Sequence, residues 1–92
     1  MIFNTIELKE PVHSLLFVEA NNGPNLFIGT FKIIHLWNFE EKAIVCSWRA
    51  HKGRIEKMLL SRDKLITCSS DGIGFWDIKK MLELNSPEVV NF

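Results

Sequence analysis

The run LITCSSDGIGFWD, residues 65–77, decides how this chain folds. Apolar Leu65 and Ile66 lead into small Thr67, Cys68, Ser69 and Ser70, then the turn pair Asp71-Gly72, then a second run closing on Trp76-Asp77. Strand, tight turn, strand is the reading, because Asp-Gly accepts the positive φ that a two-residue hairpin turn needs. The wider spacing strengthens it. Trp76 stands five residues after Asp71 and 25 after His51.

Sliding the chain along itself by 39 residues pairs Leu26 with Leu65, Phe27 with Ile66, Thr30 with Ser69, Ile34 with Ile73, Trp37 with Trp76 and Phe39 with Ile78. Upstream the match resumes at an offset of 43, pairing Val12 with Ile55, Leu15 with Met58, Leu16 with Leu59 and Phe17 with Leu60. The four extra residues fall within ANNGPN, residues 20–25, which reads as a lengthened surface turn. Period-two runs and their punctuation then predict four short strands per unit. In a first unit, residues 9–48, they lie at 12–18, 26–30, 33–38 and 44–48. In a second, residues 49–86, they lie at 55–60, 64–69, 73–78 and 81–84. Residues 1–8 read as a strand of a preceding unit and 87–92 as the opening strand of a following one. A period near 40 with four strands per unit is the signature of a propeller array.

The expected class is therefore all-β: two four-stranded antiparallel sheets, an incomplete β-propeller spanning residues 1–92. Repeats of this kind bury their faces against neighbours, so two units leave two sheet faces bare. The chain reads as part of a ring: a fragment of a longer protein, a truncated product, or a piece that completes a ring with an associating chain. Alone, it is expected to aggregate or to be loosely ordered.

Composition excludes several functions. Eleven basic and eleven acidic side chains cancel, which removes the electrostatic footprint of a dedicated nucleic-acid or anionic-membrane binder. The opening MIFNTIELKE has no long apolar core and is a poor secretory signal, and no apolar run approaches the roughly 20 residues that span a bilayer. A soluble intracellular protein is expected. Cys46 and Cys68 lie in predicted strands with no Cys-x-x-Cys pairing, so buried reduced thiols are expected over a disulfide. His13, His35 and His51 are too widely spaced for a zinc set, and Gly72-Ile73-Gly74 precedes no helix that could hold a phosphate. No metal and no cofactor is expected.

With its Asp-Gly turn and Trp-Asp close, the second unit resembles the WD-repeat family. That resemblance implies a hydrogen-bonded tetrad made by His51, Thr67, Asp71 and Trp76, with Ser69 as a substitute for Thr67. Ala50 stands where the family has the glycine of its Gly-His pair. Carboxylate, imidazole, hydroxyl and indole in series satisfy groups that would otherwise be buried alone. His51, Asp71 and Ser69 or Thr67 also match a hydrolase triad by type, but no Gly-x-Ser-x-Gly elbow is present and the hydroxyls sit in a hairpin. No catalytic residue is assigned. The first unit departs from the pattern, with Lys32 in place of the turn aspartate, Asn38 after Trp37, and no histidine before Val12. Its strands are expected to rest on apolar packing by Leu16, Leu26, Ile28, Ile34 and Leu36.

The resemblance places partner contacts on the loop entering the first strand of a unit and on the hairpin turn: Lys52, Gly53, Arg54, Ser69 and Ser70, with Lys9, Glu10, Phe31 and Lys32 as counterparts. Phe31 is either tucked under a neighbour or an apolar contact point. The cluster Trp48, Arg49, His51, Lys52 and Arg54 suits protein contact or RNA phosphates. CSWRAHKGRIEKM, residues 46–58, followed by ITCSSDGIGFWDIKK, residues 66–80, is similar to the later repeats of PAK-kinase-interacting WD-repeat proteins. This similarity implies a non-catalytic protein-interaction scaffold in nucleolar assembly of the large ribosomal subunit, with direct or indirect RNA contact in a ribonucleoprotein. The alternative is an adaptor or substrate receptor in signalling or ubiquitin ligation. Nucleus, nucleolus or cytoplasm is the corresponding location.

Overall fold

Alternating apolar residues and two-residue turns organise most of the chain into two antiparallel sheets. The computed structural model describes residues 5–20, 23–79 and 82. Strands β1 (Ser14–Ala20), β2 (Gly23–Gly29), β3 (Phe31–Asn38) and β4 (Ala43–Arg54) form a sheet in chain order. Strands β5 (Lys57–Ser61), β6 (Lys64–Ser69) and β7 (Gly72–Asp77) form a second, again in chain order. The chain is all-β, with a four-stranded and a three-stranded antiparallel sheet.

Several boundaries differ from expectation. The extra residues of the first unit do not make a longer turn. Val18 pairs with Asn25, as Ser61 pairs with Lys64, and two further pairs, Glu19 with Pro24 and Ala20 with Gly23, extend the β1–β2 hairpin. An insertion of two residues per strand keeps every side chain on its own face, which an odd insertion would not. The charged stretch 49–54, expected as a loop, belongs to β4. Phe31 pairs with Arg54 but Ile33 pairs with Arg49, so residues 50–53 bulge out of the β3–β4 ladder. A bulge re-aims side chains, and here it carries His51 toward the second sheet.

At the hairpin of the second sheet the two-residue turn is Ser70-Asp71, flanked by the pair Ser69 and Gly72, with Gly72 at φ 135. The predicted strand 73–78 ends at Asp77, whose Oδ1 accepts the Lys79 backbone N–H at 3.1 Å. That bond favours a helical turn over a continued strand, and Ile78, Lys79 and Leu82 have helical backbone. Leu82 thus departs from the strand predicted over 81–84, whose other residues lie outside the described ones. Residues 5–8, read above as part of a strand, carry no strand. Residues 1–4 and the strand predicted over 87–92 also lie outside the described residues.

The two sheets share one core. Phe27, Ile34, Leu36, Cys46 and Trp48 from the first pack with Ile55, Met58, Leu65 and Trp76 of the second half. Trp48 meets Phe27 edge-on at 6.4 Å and Trp76 at 5.5 Å, which places an aromatic contact at the junction. Ile55 stitches the sheets through its backbone: its N–H donates to Thr30 O at 2.9 Å and its carbonyl accepts from Ser14 Oγ at 2.6 Å. Gly29 allows this approach, since a Cβ there would lie 2.7 Å from Ile55 Cγ2.

Candidate functional site

The β4 bulge, β6, the Ser70-Asp71 turn and β7 bring four predicted residues together at the turn end of the second sheet. His51 Nδ1 lies 2.8 Å from Asp71 Oδ1, His51 Nε2 lies 2.7 Å from Thr67 Oγ1, and Trp76 Nε1 donates to Thr67 Oγ1 at 2.9 Å. Bond directions follow from chemistry. The ionised carboxylate only accepts and the indole only donates. His51 Nδ1–H donates to Asp71, and in that tautomer Nε2 accepts from the Thr67 hydroxyl, whose oxygen accepts from Trp76.

His51 and Thr67 are buried, and the Asp71 side chain is about a quarter exposed. Its second oxygen accepts the Lys52 backbone N–H at 2.9 Å. That bond, joined by the His51 contact, holds the Asp71 carboxyl below its ordinary value of 3.8. Gly74 makes room for the chain of bonds, because a Cβ there would lie 2.8 Å from both Thr67 Oγ1 and Trp76 Nε1. Every polar atom in the series faces another protein group, and the Thr67 hydroxyl is fully buried. The arrangement fastens the crossover between the sheets to the second hairpin.

Phe31, Lys52, Arg54 and Ser70 are exposed. Phe31 is 47% exposed, with Lys32 Nζ 5.1 Å from its ring centroid, and so is not tucked under a neighbour. Lys32, half-buried, adopts φ 73 beside it. Phe31 is the cross-strand partner of Arg54, and a Cβ on Gly53 would lie 2.8 Å from Ser70 Oγ. These residues therefore form one strip along the turn end, with Lys32 and Lys52 adding charge. Ser69 does not belong to it. At 6% exposure it is buried, and its hydroxyl finds no hydrogen-bond partner among the described residues. Period two carries the reason, since Ser69 shares the inward face of β6 with Leu65 and Thr67. By the same alternation Cys68 is partly exposed, while Cys46 is buried and its thiol is pushed up by desolvation.

The first sheet carries a polar network that sequence reading missed. Thr30 Oγ1 donates to Glu10 Oε1 at 2.8 Å, the same Glu10 oxygen lies 3.5 Å from His35 Nε2, and His35 Nδ1 lies 2.7 Å from Ser47 Oγ. At the far end Asn38 Nδ2 donates to Asn25 Oδ1 at 2.9 Å, and both amides are buried. The available signal was alternation: Asn25 and Asn38 fall on the inward face of their strands, where an amide needs a partner. Apolar packing alone, expected for this unit, is thus supplemented by two polar ties.

Among the described residues, no group of three or more His, Cys, Asp or Glu side chains converges as a metal site, and no helix is long and apolar enough to cross a membrane. No protein-family model matches the chain, and no curated protein matches it.

Proposed function

We propose that the chain is a section of a WD-repeat-type β-propeller that works as a non-catalytic scaffold and binds partners through the turn-end strip of Phe31, Lys52, Arg54 and Ser70. The observation carrying this reading is the hydrogen-bonded series from Asp71 through His51 and Thr67 to Trp76. It reproduces the tetrad that the family resemblance implies, and it spends the reactive side chains on each other. The strip beside it has the composition of a recognition surface. An exposed aromatic ring flanked by Lys32 and Arg54 suits an acidic partner or an RNA segment that stacks on Phe31.

Assembly of the large ribosomal subunit is the setting in which this surface makes most sense, since partners there combine protein and phosphate. In the test, tagged chain is sedimented from cell extract with and without ribonuclease. Wild type is expected to travel with pre-ribosomal particles and to be released by ribonuclease, whereas the double variant Phe31→Ala, Arg54→Glu is expected to stay at the top of the gradient with an unchanged melting curve. Ribonuclease-resistant association with a ligase or signalling protein would transfer the reading to an adaptor.

A further inference from the structure

We infer that copies of this chain associate head to tail, the outer face of the first sheet in one copy seating on the outer face of the second sheet in the next. The inference rests on the repeat and on which faces are buried, not on the partner or ribosomal reading above. Several apolar residues that correspond between the units have opposite burial. Phe27, Ile34 and Leu36 are fully buried in the first sheet, yet their counterparts 39 residues on are partly exposed Ile66, exposed Ile73 and partly exposed Phe75. Conversely, Leu65, Met58 and Trp76 are buried in the second sheet, while Leu26 and Trp37 are only partly buried and Leu15 is 57% exposed.

The outer face of the first sheet is therefore the same kind of surface as the inner face of the second, and the reverse also holds. Within the molecule these two kinds of surface already pack on each other, with Trp48 against Trp76 at the contact. The two faces that are exposed among the described residues are thus matched to one another. On the first lie Leu15, Phe17 (55% exposed) and Ile44, with Phe17 edge-on to Phe39 at 6.2 Å. On the second lie Leu59 (52%) and Ile73 (63%), beside a hollow of about 600 Å³ lined partly by Ile66 and Phe75. Apolar surface of this kind on both sides of a monomer marks association. Because the two faces differ, the contact is heterologous: each copy keeps one face open after pairing, so the assembly grows by the same step.

A mixing experiment tests this. Phe17→Asp disables the first face and Ile73→Asp the second; both side chains are exposed, and circular dichroism checks that each variant keeps its sheet signal. Should either lose it, Leu15→Asp and Leu59→Asp replace them. By analytical ultracentrifugation, wild type is expected to run as species larger than a dimer, each variant alone as a monomer, and an equimolar mixture of the two as a 1:1 dimer that grows no further. A wild-type chain that is monomeric at its highest soluble concentration overturns the inference, as does a single variant that still dimerises, which would indicate like-on-like pairing. A mixture that remains monomeric overturns it too.

Discussion

The two sheets share a hairpin geometry at a 39-residue spacing, yet they are fastened at different positions. In the second, Thr67, Asp71 and Trp76 bond in series with His51, Gly74 leaves space around them, and Gly53 leaves space beside Ser69 and Ser70. In the first, the counterparts of Thr67, Asp71 and His51 are Ile28, Lys32 and Leu8, while the counterparts of the two glycines are Glu10 and His35, which carry the polar tie to Thr30 and Ser47. At the opposite end, the facing pair Lys64 and Asp77 of the second sheet corresponds to the facing amides Asn25 and Asn38 of the first. The apolar alternation and turn spacing thus define the sheet, whereas the polar fastening can move to other positions as long as its buried groups are paired.

The largest expected effect comes from removing the hydroxyl that two partners share. Thr67→Val leaves the Trp76 indole N–H and the His51 Nε2 lone pair buried without partners, at a cost of about 3 kcal/mol. For a chain of this size that lowers the melting temperature on the order of 15 °C. Thr30→Val in the first sheet should cost only about 1 kcal/mol, because partly exposed Glu10 recovers water. Paired thermal melts check the comparison, and equal losses in the two would break it.

Exchanging the space between the sheets comes next. Gly74→Ala drives a methyl group against Thr67 Oγ1 and Trp76 Nε1, costing about 2 kcal/mol by overpacking. Its counterpart His35→Ala removes a polar contact near the surface and should cost under about 1 kcal/mol. Chemical denaturation separates the two if midpoints shift while slopes do not.

Asn38→Asp is a sharper probe, since it writes Trp-Asp into the first unit. Judged by the repeat alone it should help. The structure argues the opposite: the Asn38 amide donates to Asn25 Oδ1 in a buried setting, and a carboxylate there would face another acceptor. A loss of about 1.5 kcal/mol is expected. Adding Asn25→Lys recreates the lysine–aspartate pair found at Lys64 and Asp77, so the double variant should be more stable than Asn38→Asp alone.

How much of this was legible in the sequence depended on whether the cause was local. Strand β6 is read to the residue as 64–69 because its alternation is local, although the turn that follows is Ser70-Asp71, one residue before the expected Asp71-Gly72 pair. The family resemblance singled out His51, Thr67, Asp71 and Trp76 across separations of up to 25 residues, which no local pattern links. Without such a template for the first unit, Thr30, His35 and Ser47 read as ordinary strand residues and Glu10 as a partner contact. Their polar groups find each other only through the β1–β2 and β3–β4 pairings. The stretch 49–54 misled for a related reason: its charges signal exposure, which a bulged strand provides as well as a loop does.

The smallest effect sharpens the comparison through pH. Asp71 is the one carboxylate in the second sheet's series, and its bonds to the Lys52 backbone N–H and to His51 hold its carboxyl below the ordinary value of 3.8. A carboxyl lowered in the folded state contributes stability that is fully present above its unfolded value. The contribution fades as pH falls through the folded value. Asp71→Asn keeps the shape and removes the titration, so the melting-temperature gap between wild type and this variant should be constant near neutrality and close progressively below about pH 4. Lys32 occupies the matching turn position in the first sheet and carries no carboxyl group, so Lys32→Gln should leave the acid limb of the curve where wild type has it. A gap for Asp71→Asn that stays constant down to acid unfolding would mean that the carboxylate does not tie the turn to the crossover.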